Sequence, residues 1–183
     1  MSITTAAGAA ARRAKKQYLG KYRGVVLQNI DPMGIGRLQV QVIGVFTVTS
    51  SWAMPSFPVA GFQTGAVAVP PIGAGVWVEF ERGDPDYPIW TGCYFSTRAE
   101  VPPLVQLVPP PIPAMTLQTP LKNAIQVSDA PPTPVTGGVV LRSTTGASIV
   151  VNDSGIFLSN GKGASIAMVG KVVTVNTGAL VVM

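Results

Sequence analysis

The sequence predicts an all-β protein in two parts: a small five-stranded barrel, then a glycine-punctuated sheet that needs further copies of itself to be covered. Three observations carry this. Residues 20–97 alternate apolar and polar positions between turns rich in proline and glycine. Glycines then recur at 138, 146, 155, 163, 170 and 178, spaced by 8, 9, 8, 7 and 8 residues, with Gly-Ala-Ser-Ile at both 146–149 and 163–166. Finally, only 11% of the 183 residues are charged and mean hydropathy is +0.39, where soluble domains carry about 25% charge. Much of the surface is therefore expected to be covered by partners.

The chain begins with a short arm, residues 1–19. Apart from Gly8 it is made of good helix formers, with Thr4 or Thr5 able to cap, so a short helix or arm is expected. The net charge of +5 is local, because Arg12, Arg13, Lys15, Lys16, Lys21 and Arg23 stand in the first 24 residues with no acid among them. A helix this polar has no core face and is expected either to fray or to order on a partner. So short a basic run more often docks on protein than on phosphate, and no nucleic-acid partner is expected.

Residues 20–97 give the barrel. Strands are expected over 22–30, 37–46, 75–81 and 89–95, with a proline-interrupted region over 50–73. Asp31-Pro32-Met33-Gly34 and Gly83-Asp84-Pro85-Asp86 have turn chemistry. Five strands in about 75 residues fit a closed barrel of OB type. Asp84 and Asp86 are expected to form a turn rather than an acid/base pair, and Trp52, Trp77 and Trp90 to be core or interface anchors rather than a stacking platform. With no histidine and one cysteine, Cys93, the chain lacks the ligands of a usual zinc or iron site and cannot form an internal disulfide. No catalytic residue, metal or cofactor is expected.

The uncharged run Leu38 to Val78, 41 residues long, is broken by Pro55, Pro58, Pro70 and Pro71, so it is no membrane helix. The run 101–121 holds seven prolines and fails likewise. No signal peptide is visible, and synthesis in the cytoplasm is expected. Residues 98–137 carry 10 of the 17 prolines and read as a stiff linker or strand-poor wrapping segment.

In residues 138–183 the third residue after each repeat glycine is aliphatic, and polar residues alternate with it, as strands with one buried face require. Val139, Leu141, Ile149, Val151, Ile156, Leu158, Ile166, Met168, Val173 and Val175 are the expected inward residues. Eight residues are about a third of the ~20 a single-chain β-helix needs per turn. The arithmetic suggests three intertwined chains forming a trimeric triangular β-helix, or β-prism, although an ordinary glycine-rich hairpin domain is the competing reading. The last unit, Leu180, Val181, Val182 and Met183, is apolar on both faces and no charge follows Lys171, so a separate tip partner is expected to cover it.

The string 78–92, Val-Glu-Phe-Glu-Arg-Gly-Asp-Pro-Asp-Tyr-Pro-Ile-Trp-Thr-Gly, with Gly20-Lys21-Tyr22-Arg23-Gly24, Asp31-Pro32 and Gly36-Arg37-Leu38 ahead of it, resembles the OB segment of contractile-tail spike proteins. That family includes phage baseplate assembly protein V, central tail spikes, the valine-glycine repeat proteins of type VI secretion and the spikes of extracellular contractile injection systems. Gly83, Asp84, Pro85, Asp86, Pro88 and Gly92 carry its turn motif. The resemblance implies a non-enzymatic homotrimeric spike, assembled into a phage tail or injection particle, that docks on a hub protein and pierces a target membrane. It also implies that the tip partner is a small cone of the Pro-Ala-Ala-Arg-repeat type. The hub contact is expected on the basic arm, at Arg12, Arg13, Lys15 and Lys16, and on the uncharged barrel surface. The residue-based rival is an OB module for oligosaccharide or single-stranded nucleic acid.

Overall fold

The computed structural model describes residues 16–108, 110–130 and 137–182, in two compact units divided after Ser96. In the first, β1 (Tyr22–Gln28), β2 (Gln39–Val42), β3 (Met54–Pro55), β6 (Gly75–Phe80) and β7 (Pro88–Tyr94) form a sheet in the order β2-β1-β6-β7-β3. A small hairpin, β4 (Ala60–Gly61) and β5 (Thr64–Gly65), stands apart from it. An isolated bridge between Leu38 and Ala53 ties the two outer strands together, so the sheet curls back on itself as an OB barrel does.

The alternation read from the sequence sets the packing. Val26, Leu38, Val40, Val42, Val76 and Val78 are completely buried, and Phe80 and Trp90 nearly so. Their neighbours in the strands, Arg23, Val25, Gln41, Trp77 and Glu79, point outward. The core is thus filled within one chain.

The loop between β1 and β2 is fastened by one carboxylate. Asp31 accepts backbone N–H bonds from Met33, Ile35 and Arg37 and side-chain bonds from Arg37 Nε and Nη2, the last at 2.7 Å. The Arg37 guanidinium above all, and those N–H groups, hold the Asp31 carboxyl well below the usual carboxylate range against the opposing effect of desolvation. Arg37 also stacks on Trp52, 5.3 Å from the ring centroid.

In the second unit a one-turn helix, α1 (Pro103–Gln106), precedes eight strands: β8 (Ala114–Gln118), β9 (Ala124–Ser128), β10 (Gly138–Arg142), β11 (Ser148–Asn152), β12 (Gly155–Ser159), β13 (Ser165–Val169), β14 (Val172–Val175) and β15 (Leu180–Val182). Each pairs antiparallel with the next in sequence, giving one uninterrupted meander. At about 4.8 Å per strand the wall is about 34 Å tall.

Two expectations are corrected here. The proline-rich segment is no simple linker, because β8 and β9 lie within it and belong to the sheet. Its prolines bracket these strands, at 113, 120 and 131, because proline cannot donate to a ladder. The octads, moreover, do not wind around an intertwined helix: consecutive strands pair within one chain, so each octad is one arm of a hairpin in a single continuous sheet. Gly155 is required by close approach, since an added Cβ would lie 2.1 Å from the carbonyl oxygen of Met168.

Candidate functional interface

Antiparallel register decides which side chains share a face. Pairings Leu141↔Ile149, Ile149↔Leu158, Leu158↔Ile166 and Ile166↔Val175, with Val139↔Val151, Val151↔Ile156, Ile156↔Met168 and Met168↔Val173, put all ten expected inward residues on one face. The same register adds Met115, Leu117, Ile125 and Val127 at one end and Leu180 and Val182 at the other. The first four were missed because their segment read as linker. The signal was present in the alternation of 114–118 and 124–128, masked by the surrounding prolines.

This apolar face is open in a single chain. Leu141 and Ile149 are each 40% exposed, and Met115 at one end 72%. At about 25 cal/mol per Å2 of apolar surface, a face of sixteen such side chains is a strong drive to association. The opposite face is different. It carries a polar row, Arg142, Ser148, Ser159 and Ser165, beside a shorter apolar row, Val140, Val150, Phe157 and Ala167, and its β8–β10 end packs around Leu104 of α1 and buried Gln126, whose Nε2 donates to the Leu104 carbonyl at 3.1 Å and to Thr116 Oγ1 at 2.8 Å.

The tip residues divide by the same register. Leu180 and Val182 continue the apolar face, Val181 is registered opposite Thr174, and Met183 lies outside the described residues. Among the described residues β15 is the outermost strand of the sheet, and no strand pairs with its outer edge.

The barrel shows what the turn motif does. Asp84 Oδ1 accepts the Asp86 N–H at 3.0 Å, the Tyr87 N–H donates to the Asp84 carbonyl, and Ser51 donates to the Asp86 carbonyl. Pro88 is buried beneath the motif, and Gly92 lies at the register shift of β7 opposite Trp77. Gly83, at φ +76°, leaves room for the incoming chain: its added Cβ would lie 3.0 Å from Gln17 Cβ and 3.2 Å from Tyr18 N. The Tyr18 N–H donates to the Gly83 carbonyl at 2.9 Å, and the Tyr18 ring packs on Tyr22 and Phe80.

Residues 16–19 are accordingly not helical, as expected of the arm, but are laid onto the barrel. Tertiary hydrogen bonding and aromatic packing override their helix propensity. Lys16 lies over the Tyr18 ring at 4.9 Å, and Arg12, Arg13 and Lys15 lie outside the described residues. The three tryptophans occupy separate surroundings. Trp90 is buried against Phe57 and donates to the Gly36 carbonyl, Trp77 packs with Tyr94 and Arg23, and Trp52 lies under Arg37.

Comparison with known proteins accounts for both units. Residues 22–95 match the type VI secretion system/phage-baseplate injector OB domain, and residues 114–181 match the phage baseplate V C-terminal trimerisation domain. A 54-residue stretch is 41% identical to the type VI secretion system spike protein VgrG5 of Pseudomonas aeruginosa, covering 30% of this chain and 7% of that protein. The chain therefore spans a small part of that relative's length. Among the described residues no helix is long and apolar enough to cross a membrane. With the OB barrel and the meander that follows it each matched over nearly its whole length, this chain belongs to the phage-baseplate and type VI spike family.

Proposed function

We propose that this protein is the homotrimeric central spike of a contractile injection machine or phage tail, and that its role is mechanical rather than enzymatic. The observation that supports it is the continuous apolar face from Met115 to Val182, which three copies cover by turning their walls inward as a β-prism. In such a prism each strand is hydrogen-bonded to its neighbours within its own wall, so an axial load is borne by many ladder bonds together. That is what driving a point through a membrane demands. Mass measurement of the purified chain under native conditions tests the reading: a trimer is expected, and a monomer with a stable folded needle would overturn it.

Two partners follow from the same reading. The hub docks on the N-terminal arm and the uncharged barrel surface, where Ile43, Val59, Phe62 and Ile72 are exposed within the charge-free run Leu38 to Val78. Deleting residues 1–17 should leave the trimer intact and weaken hub binding; the reverse result would reverse the assignment. A cone-shaped tip protein of the Pro-Ala-Ala-Arg-repeat type caps the free edges of three β15 strands. Recovery of such a protein by the full-length chain and not by one ending at Thr177 is the expected result of co-expression and pull-down, and equal recovery by both would exclude this seat.

A further inference from the structure

The two side edges of the needle wall are built differently. In an antiparallel meander, alternate turns fall on the same edge. One edge therefore carries the turns 119–123, 143–147, 160–164 and 176–179, and the other carries Asp129, just past the end of β9, and the turns 153–154 and 170–171. The first set is bonded into a continuous ridge. Thr144 N–H donates to Asn123 Oδ1 at 3.0 Å and its hydroxyl to the Leu121 carbonyl, the Ser165 N–H donates to Asn176 Oδ1 at 3.0 Å, and Gly161 lies against the 145–147 backbone so closely that a Cβ would come within 2.7 Å of the Thr145 carbonyl oxygen. On the other edge, the 153–154 and 170–171 turns are two-residue connections that make no such bond to each other among the described residues.

A closed threefold assembly joins unlike surfaces, because only a twofold axis lets a patch meet its own copy. Each prism corner must then bring the ridge of one subunit against the short-turn edge of the next. Heights along the stack are preserved by the rotation. The turn at Asp153, between β11 and β12, accordingly lies level with the gap between the neighbour's 143–147 and 160–164 turns, about 5 Å from the centre of each. This edge carries Arg142, the last residue of β10, and Lys162 in the 160–164 turn, and the short turn carries Asp153. All three are exposed, and within one chain none makes an ion pair among the described residues. Lys171, also on the short-turn edge, falls between the levels of Lys162 and the uncharged 176–179 turn and meets no acid there, whereas Asp129 on the same edge falls between the neighbour's Lys122 and Arg142, a second level at which opposite charges meet.

We propose that the corners of the trimeric needle are formed by the short-turn edge of one subunit seated on the turn ridge of the next, with Arg142 and Lys162 paired to Asp153 of the partner subunit. This rests on the trimeric reading above and specifies its geometry. It fixes the direction in which the three walls follow one another around the axis.

The test uses the full chain carrying Cys93→Ser, Asp153→Cys and Lys162→Cys. Within one chain these two positions are separated by the whole of β12, about 17 Å of extended strand, beyond the ~7 Å between Cα atoms that a disulfide can span. Any disulfide between them joins two subunits. Air oxidation should shift most of the chain from monomer to covalent trimer on a non-reducing gel, and neither single-cysteine variant should give that band. Zero-length carbodiimide coupling of the unsubstituted protein, followed by peptide mass analysis, should give an Asp153–Lys162 crosslink. A native trimer that yields neither product overturns the corner arrangement alone. A monomer measured for the unsubstituted chain overturns the trimeric reading beneath it.

Discussion

The barrel and the needle wall are both antiparallel sheets with strict alternation, yet only one of them is finished by its own chain. In the barrel, Val26, Val40, Val42, Val76 and Val78 are fully buried, because the Leu38–Ala53 bridge curls the sheet over its own apolar face. In the wall, side chains of the same kind remain about two fifths exposed, because eight consecutive hairpin arms extend the sheet in one direction and never bring its ends together. Alternation alone therefore specifies that a face will be buried. Connectivity decides whether the same chain or another copy buries it.

The comparison is broken most severely by charge on the open face. Ile149→Asp would place three carboxylates at one level of the prism interior, at a cost of several kcal/mol per ion. The expected outcome is loss of the trimer by native mass while the barrel stays folded, as judged by retained near-ultraviolet circular dichroism of Trp90 and Trp77; a heat-resistant trimer would show that this face points outward. The complementary cut is Leu38→Ala in the barrel core, expected to destabilise that unit by about 2–5 kcal/mol and to leave trimerisation unchanged. If one substitution abolished both transitions together, the two units would not be energetically separate.

Smaller effects sharpen the contrast within the barrel. Gly83→Ala forces an alanine to φ +76° and pushes Cβ against Gln17 and Tyr18; the strain is of order 1–3 kcal/mol, and faster tryptic cleavage after Lys16 or Lys21 would report release of residues 16–19. Asp31 gives the pH dependence. Its folded carboxyl titrates below the unfolded value, so its contribution is fully present above about pH 4 and is lost only as the pH falls toward its depressed folded pKa. Denaturation measured at pH 7 and pH 3 should show an acid loss of barrel stability that Asp31→Asn flattens. An unchanged acid profile in that variant would assign the loss to other carboxylates.

Much of this was written in local pattern. The glycine spacing and the aliphatic residues three beyond each glycine identified the ten wall residues that share a face, because side-chain direction in a strand follows from parity alone. The barrel strands could be read for the same reason, and the Gly83-Asp84-Pro85-Asp86 turn because its residues act on their own backbone. Pairing was not legible. That Asp31 would be held by Arg37, that Gly83 would be needed to admit residues 17–19, and that octads would pair within a chain rather than wind between chains all depend on segments distant in sequence meeting in space. Met115, Leu117, Ile125 and Val127 had the right parity, but the prolines around them hid it until the ladder placed them opposite Leu141 and Val139. Parity fixes which way a side chain points; only the tertiary hydrogen bonds decide what it faces.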